Sequence, residues 1–352
     1  MMVVNCGDAQ YAWLGAKQVL DAGRSSEAQW NHRPGDAPVP YRADNAGFQK
    51  ECTMRVFVTG ATGFIGSAVV RELLDAGHQV TGLARSDQAA ASLTAAGAGV
   101  RRGSLEDTGS LRSAAAACDG VIHTAYIHNF SETNDAPAYA RIDGRAIEAI
   151  GETLAGSGRP LVVAAGLPVP AAGSVTTEED AAPDNPAYPR VSERTALSFA
   201  GRGVRVSVVR IPPSVHGAGD HAFIPALIGI ARAKGLSAYA GEGSNRWAAV
   251  HRLDAAHLFR RALEAAPAQA RLNAVGDEGV PFRDIAEVIG RHLNMPVTGL
   301  SPEEADGHFG LFALFASIDG PSSSVLTQKQ FGWHPAHPGL IADLDEGHYF
   351  IP

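Results

Sequence analysis

From Met54 onward, short apolar runs alternate with longer stretches in which apolar residues recur every three or four positions. The run Val56 to Val58 has the length of a buried strand, and Ile65, Val69 and Leu73 then follow at helical spacing. The same alternation predicts strands at 79–83, 99–102, 120–123, 161–165 and 204–209, and helices at 86–96, 108–117, 136–155 and 190–200. This alternation predicts an α/β fold with a doubly wound parallel sheet covered on both faces.

Beyond Pro212 the rhythm loosens, and the chain becomes irregular and rich in helical stretches. Helices are predicted at 222–234, 255–265 and 282–293, with a short strand near Ala238. We interpret residues 54–217 as the sheet domain and 218–352 mainly as a smaller, helix-rich C-terminal lobe for the substrate, interleaved with the sheet edge. Residues 1–53 show no sustained period and predict a poorly ordered extension. The alternative is an arm that packs on the body or on a second subunit.

Composition and charge narrow the classes of partner. The chain is 45% hydrophobic and carries a net charge of −8, so it can bury a core and lacks the basic blocks typical of nucleic-acid or anionic-membrane binding. Its three cysteines are widely spaced, which favours a reducing, cytoplasmic location. No apolar run reaches the length of a membrane span. The expected partner is a small-molecule substrate, and the expected assembly is a monomer or a homodimer.

A glycine-rich segment joins the first predicted strand to the first predicted helix. Its three glycines are spaced three residues apart. The first permits a tight turn, the second lets the backbone approach a pyrophosphate, and the third lets the helix pack closely on the strand. Free N–H groups and the helix dipole favour negative charge at this helix start. The segment predicts a Rossmann-type dinucleotide site, with contacts at Gly60, Thr62, Gly63, Phe64, Ile65 and Gly66.

The segment from Thr59 to Gly66 reads Thr-Gly-Ala-Thr-Gly-Phe-Ile-Gly. It resembles the cofactor turn of the extended short-chain dehydrogenase/reductases, the NAD-dependent epimerase/dehydratase family. Residues 210–217 are similar to that family's R-x-P-x-x-V-Y-G segment, with His216 in place of tyrosine, and residues 250–256 are similar to its late strand-to-helix segment. The resemblance covers the chain from Met54 to the C-terminus. It implies the superfamily more strongly than any one activity.

The end of the second predicted strand bears on the choice of dinucleotide. An NAD-preferring site carries an acid there that binds the ribose 2′-hydroxyl, whereas this chain has Ala84. Arg85 follows and is suited to clamp a 2′-phosphate, with Ser86 as a further hydroxyl donor. We therefore predict NADPH or NADP⁺ as the cofactor and NAD(H) as the weaker ligand.

The resemblance implies further cofactor contacts at the ends of the later strands. Ser104 and Leu105 match the segment near the adenine, and Thr124 and Ala125 match the backbone that passes the riboses. The residues it places near the nicotinamide half are Ala165, Ser192, Pro212 and Val215.

The serine, tyrosine and lysine that the family uses are incomplete in this chain. The fifth predicted strand ends in alanines where the serine is expected, and Tyr188 is followed four residues later by Ser192 instead of lysine. A one-residue shift puts Glu193 at the lysine position, so neither alignment supplies a lysine. The first candidate proton donor is therefore Tyr188. Tyr126 and His128 follow the fourth strand, at the edge where ligands of α/β proteins collect, and are further candidates.

We predict an NADPH-dependent oxidoreductase that transfers hydride between nicotinamide and a small carbonyl, alcohol or enone substrate, with a non-standard catalytic centre. The alternatives are a non-catalytic NADP(H)-binding sensor or scaffold and a sugar-nucleotide epimerase or dehydratase. His216, Asp220 and His221 suggest a metal cluster, but no second group at ligand spacing supports one, so no metal is predicted. Five aromatic residues fit either a substrate pocket or a core: Phe223, Trp247, Phe309, Phe312 and Phe315.

Overall fold

The computed structural model describes residues 53–127, 135–183 and 190–351. One parallel sheet contains β1 (Arg55–Thr59), β2 (Gln79–Ala84), β3 (Gly99–Arg102), β4 (Gly120–His123), β5 (Pro160–Gly166), β6 (Arg205–Ile211) and β10 (Ala270–Asn273). The strand order is β10-β6-β5-β4-β1-β2-β3. The order reverses between β1 and β4, which is the topological switch point of a Rossmann fold. The predicted doubly wound parallel sheet is confirmed.

Helices cover both faces of this sheet. On one face, α1 (Phe64–Asp75) packs beside α7 (Arg252–Ala265), and α2 (Asp87–Ala95) packs near the β3 edge. On the other face lie α3 (Thr108–Ala116), α4 (Ala136–Leu154) and α5 (Ser192–Leu197). The centre of the sheet is therefore buried between two apolar layers, which explains why the central strands β1, β4, β5 and β6 are mostly buried rather than alternating between buried and exposed.

The structure differs from the sequence interpretation at two places that matter for the site. The helix predicted at 190–200 is short, because α5 gives way to a 3₁₀ turn at Ala200–Arg202 that ends at Gly203 with φ +73°. Helix α7 and strand β10 lie within the range interpreted as lobe, yet they complete the main sheet domain. A four-residue strand carries too little periodicity to reveal its partner, which only the parallel pairing with β6 defines.

The lobe contains two small sheets and six helices within the described residues. Strand β8 (Ser237–Ala240) pairs with β12 (Val297–Leu300), and β9 (Arg246–His251) lies between β7 (Ser214–His216) and β11 (Asp277–Pro281). The helices are α6 (Phe223–Lys234), α8 (Phe282–Leu293), α9 (Pro302–Phe309), α10 (Ala313–Ser317), α11 (Val325–Phe331) and α12 (Leu340–Asp345), and 3₁₀ turns lie at Gly310–Phe312 and His348–Phe350.

Aromatic side chains form the core of this lobe. The ring of Phe223 lies 4.7 to 5.8 Å from those of Trp247, Phe312 and Phe315, and Trp247 is 2% exposed. These rings pack edge to face or tilted against one another, as buried aromatic pairs prefer. Of the two roles that the sequence left open for them, the structure therefore supports the core. Among the described helices, none is both long and apolar enough to cross a membrane.

Candidate functional site

The glycine-rich turn is tightly constrained by its own backbone. Gly60 has φ +67°, a left-handed conformation that favours glycine. A Cβ atom on Gly66 would lie 2.0 Å from the Gly60 carbonyl oxygen, a distance that no side chain can tolerate. The N–H of Gly63 donates to the same oxygen at 2.9 Å. Glycine at 60 and 66 is thus required for α1 to begin directly against the end of β1.

The N-terminus of α1 has no side-chain cap, unlike the three helices that follow it. Gly63 is its N-cap and supplies no side-chain hydrogen bond, whereas side chains of Ser86, Asp107 and Asp135 cap α2, α3 and α4. The first N–H groups of a helix lack intrahelical acceptors. Since Thr62 and Gly63 are exposed, these N–H groups form an open anion-binding position of the kind that a pyrophosphate fits.

Residues from the lobe side close over the flank of this turn. The Arg252 guanidinium carbon lies 4.5 Å from the centre of the Phe64 ring, and its Nη2 donates to Ser67 Oγ at 3.0 Å. The His221 ring meets Phe64 edge to face, with centroids 5.8 Å apart. Ile65 is partly buried beside them. Arg252 was missed by sequence reasoning, because a single arginine at a helix start gives no signal of its distant partner.

The predicted adenine end lies at the tips of β2 and β3. Arg85 is exposed, and among the described residues it makes no hydrogen bond or ion pair. Ser86 Oγ accepts from Ala89 N at 3.2 Å and caps α2. Ala84 is paired in register with Arg102, whose guanidinium binds the Asp87 carboxylate.

Two further predicted adenine contacts follow β3. Ser104 is partly buried and its Oγ accepts from the Glu106 N–H at 3.3 Å. Leu105 is 7% exposed and packs in the core beneath the sheet. Ser104 and Leu105 lie along the same sheet edge as Arg85, and their role as adenine contacts stays a prediction.

The end of β4 is fastened to the end of β1. Thr124 Oγ1 donates to the Thr59 carbonyl oxygen at 2.8 Å, and the Ala125 N–H donates to Thr59 Oγ1 at 3.4 Å. Tyr126 follows, with the guanidinium carbon of Arg190 positioned 4.0 Å from its ring centre. Tyr126 is thus the one predicted proton donor that falls in the described residues. Predicted donors His128 and Tyr188 lie outside them.

The two positions considered for the missing lysine have different surroundings. Ser192 is 2% exposed, and its Oγ donates to Asp143 Oδ2 at 2.6 Å. Glu193 is 5% exposed and accepts from both Arg210, through Nε and Nη2, and from Arg271 Nε, at 2.7 to 2.8 Å. Burial alone would raise the pKa of Glu193, but the hydrogen bonds and charges of the two arginines outweigh it and lower the pKa. Glu193 is therefore part of a buried ion-pair cluster.

The residues predicted near the nicotinamide half line the ends of β5 and β6. Ala165 is 5% exposed and is paired with Arg210 in the sheet. Pro212 and Val215 are buried just beyond β6. At the end of β5, where the family carries a serine, this chain has alanine and therefore no hydroxyl.

A histidine and an aspartate beneath the turn were not singled out from the sequence. His123 Nδ1 lies 2.9 Å from Thr59 Oγ1, and its Nε2 lies 3.0 Å from Asp143 Oδ1. A signal for Asp143 did exist, since it falls on the same helical stripe as Ala140, Gly144 and Ile147, all of which are buried. A charged residue on the apolar face of an amphipathic helix is costly unless it is paired, and here the pairing is with His123 and Ser192.

His216 and Asp220, which the sequence suggested as members of a metal cluster, have separate partners. His216 Nδ1 lies 2.8 Å from Asp343 Oδ2, whereas Asp220 accepts from the Ala222 N–H and from the Tyr349 hydroxyl. Burial raises the pKa of Asp220 above its usual value, and the burial and nearby acids likewise raise the pKa of Tyr349.

A different group, His251, Asp254 and His337, brings its potential ligand atoms within 4.8 Å of one another. The two imidazole rings are stacked, with centroids 4.6 Å apart and planes 12° apart. Ring-nitrogen lone pairs lie in the ring plane, so two nearly parallel rings do not converge on one ion. Asp254 instead accepts from His337 Nδ1 at 2.8 Å and from two backbone N–H groups. This group holds the 336–337 segment onto α7.

The strand order, the turn and the open helix start together define a nucleotide-binding Rossmann fold. A family model described as "NAD dependent epimerase/dehydratase family" matches residues 56–274, and the chain belongs to this family. The resemblance inferred from the sequence motifs is thereby confirmed.

Individual relatives extend this comparison. The chain is 51% identical over 298 residues to an uncharacterized protein of Schizosaccharomyces pombe, covering 84% of this chain and 100% of that protein. It is 31% identical over 199 residues to a 4-hydroxy-2-methyl-3-oxo-4-farnesyl-3,4-dihydroquinoline-1-oxide ketoreductase of Stigmatella aurantiaca, covering 51% of this chain and 56% of that protein. The structure of a dTDP-glucose 4,6-dehydratase from Streptomyces venezuelae with NAD bound is similar with a TM-score of 0.67 at 19% identity, covering 84% and 97%. The last likeness is one of fold.

Proposed function

We propose that this protein is an NADPH-dependent oxidoreductase that transfers hydride between the nicotinamide and a small carbonyl, alcohol or activated alkene. The observation that carries the proposal is the uncapped start of α1, with exposed Gly63, on the same sheet edge as exposed Arg85, which no described residue pairs with. A pyrophosphate fits the first position and a 2′-phosphate the second. When bound, the dinucleotide supplies the hydride; the residues of the chain bind it and handle the proton.

The preference for NADPH over NADH rests on the charges at the tips of β2 and β3. β2 ends in Ala84, so the strand end itself carries no carboxylate for a ribose 2′-hydroxyl, and the nearby Asp87 carboxylate is bound to Arg102. Arg85 has no ion-pair partner among the described residues, while the neighbouring Arg102 is already paired with Asp87. Since a planar guanidinium binds phosphate through two parallel hydrogen bonds, Arg85 is the residue we assign to the 2′-phosphate.

Reduction of a carbonyl is favoured by the ketoreductase relative and by the surroundings of Tyr126. The Arg190 guanidinium over the Tyr126 ring places positive charge beside a phenol at the ligand-binding edge of the sheet. This cation–π contact holds the Tyr126 ring at the edge of the sheet where α/β proteins bind their ligands. We therefore propose Tyr126 as a proton donor beside the earlier candidates Tyr188 and His128.

Parallel titrations with NADPH and NADH, followed by protein fluorescence, test the cofactor assignment. Arg85→Ala is expected to raise the Kd for NADPH about tenfold and to leave NADH binding unchanged, because only NADPH carries the 2′-phosphate. Arg71→Ala is the matched control, since Arg71 is an exposed arginine of α1 that pairs with Asp75. Equal affinity for both dinucleotides that Arg85→Ala does not alter would overturn the NADPH preference.

Consumption of NADPH against a panel of small carbonyls and enones tests the reaction. Tyr126→Phe and Tyr188→Phe separate the proposed donors: the true donor loses turnover while its NADPH affinity stays within about twofold, because binding and proton transfer use different groups. Tight NADPH binding without turnover on any panel member would contradict the oxidoreductase and favour a dinucleotide-binding sensor.

A further inference from the structure

A chain of buried polar side chains runs beneath the cofactor turn. It passes from Thr59 at the end of β1 to His123 on β4, to Asp143 in the middle of α4 and to Ser192 at the start of α5, with successive distances of 2.9, 3.0 and 2.6 Å. Their exposed fractions are 0%, 1%, 2% and 2%. Burying a carboxylate and an imidazole is expensive unless every polar atom is satisfied, and here both ring nitrogens of His123 and both carboxylate oxygens of Asp143 have a partner.

The hydrogen-bond directions follow from the partners. The Ser192 hydroxyl donates to Asp143 Oδ2, and Thr59 Oγ1 already accepts from the N–H of Ala125. We therefore assign the Thr59 hydroxyl as the donor to His123 Nδ1 and His123 Nε2–H as the donor to Asp143 Oδ1, from the partners that each group has in the network. One end of this hydrogen-bonded network is the Ala125 backbone N–H, which does not pass on its proton as a hydroxyl or an imidazole can. The network is thus suited to hold geometry and not to conduct protons.

The network joins two segments predicted to meet the cofactor. At one end it fixes the backbone of Ala125, and at the other it fixes Ser192. α4 and the start of α5 approach closely at Gly144, where a Cβ atom would lie 3.2 Å from Val191 Cγ2 and would require a small shift of that side chain. Asp143 therefore ties the first turn of α5 to the switch point between β1 and β4.

We propose that Asp143 and His123 are positioning residues that hold the Ala125 backbone and the start of α5 at the nicotinamide half of the dinucleotide site. The proposal rests on the proposed dinucleotide binding but needs no particular substrate. It implies that breaking the network weakens contacts with the nicotinamide half and leaves the adenine half, some distance along the sheet edge at Arg85, unaffected.

Binding of the whole cofactor and of its adenine half tests this inference. Ser192→Ala and Asp143→Asn are titrated with NADPH and with 2′,5′-ADP, or with NADH and ADP if NADH is the tighter dinucleotide. Losing a hydrogen bond to a charged group is expected to raise the Kd for the dinucleotide about tenfold, with the fragment Kd unchanged. Asp254→Asn is the matched control, because Asp254 is also a buried aspartate bound to a histidine, His337, and its side-chain hydrogen bonds within the described residues go to residues 336 and 337 and not to the turn.

The outcomes separate the two proposals. If the wild-type protein binds no dinucleotide, the proposed function fails and the inference with it. If the wild type binds but both variants match it, or if fragment and dinucleotide weaken equally, only the positioning role is overturned. Thermal melts of each variant guard against general unfolding. Ser192→Thr, which keeps the hydroxyl, is expected to restore wild-type binding; Ser192→Ala keeps the test usable if Asp143→Asn fails to fold.

Discussion

Two groups of buried ionisable residues differ in how completely their polar atoms are satisfied. In the sheet domain, Glu193 binds two arginines and Asp143 binds His123 and Ser192. At the junction with the lobe, His216 is fully buried and bound to Asp343, yet its Nε2 has no partner among the described residues. The first group is closed, so it specifies one geometry. The second is open at His216 Nε2 among the described residues, and we expect it to be less sensitive to substitution.

The largest expected effect on stability comes from removing the charge of Glu193, which belongs to the closed group. Glu193→Gln leaves the fully buried Arg210 facing an amide, and we expect the free energy of unfolding to fall by about 3–5 kcal/mol, as when one partner of a buried ion pair is removed. Urea unfolding with an unchanged m-value measures it. The control is Asp319→Asn in the half-exposed Arg246–Asp319 pair, where less than about 1 kcal/mol is expected. Equal decreases in the free energy of unfolding in both variants would contradict a larger contribution from the buried ion pair than from the half-exposed one.

A smaller effect is expected from the matching change in the open group. Asp343→Asn keeps an oxygen that accepts from His216 Nδ1, so it should cost only about 1 kcal/mol. Asp343→Ala removes that acceptor and should cost more, within about 1–3 kcal/mol. The same unfolding assay compares both with Glu193→Gln. If Asp343→Asn proved as damaging as Glu193→Gln, the open and closed groups would not differ in the way we describe.

The smallest effect is a pH dependence from His251. Burial lowers the pKa of His251 to about 4, with the nearby His216 and His337 adding to the shift, from an ordinary value of 6.5. The unfolded chain therefore takes up a proton at a higher pH than the folded protein, and His251 destabilises the fold progressively as the pH falls from about 6.5 to 4. His251→Asn keeps an acceptor for the Leu253 N–H but does not titrate. We expect the Tm of His251→Asn to fall less between pH 7 and pH 5 than the Tm of the wild type. Parallel plots of Tm against pH for the two proteins would contradict the lowered pKa of His251.

The parts of the site that were predictable have local causes. Gly60 and Gly66 were identified because a tight turn and a close helix approach need glycine. The structure gives the reason for Gly66, where a Cβ atom would lie only 2.0 Å from the Gly60 carbonyl oxygen. Arg85 was predicted from its place after a strand, and its role stays a prediction. Asp143 and Arg252 were not identified. The helical stripe marks Asp143 as buried, but the partners of both residues lie 20 to 185 residues away in the sequence, and no local pattern indicates which residues these partners are.

The sequence alone determined the family, the sheet and the cofactor turn, because periodicity and glycine spacing act through neighbours along the chain. The tertiary structure decided which of Ser192 and Glu193 joins which network, that α7 and β10 return to the main sheet, and that the aromatic residues of the lobe fill a core. Those outcomes depend on which apolar faces and buried charges meet across distant segments. Their free energy comes from burial and pairing in three dimensions, which a one-dimensional pattern does not contain.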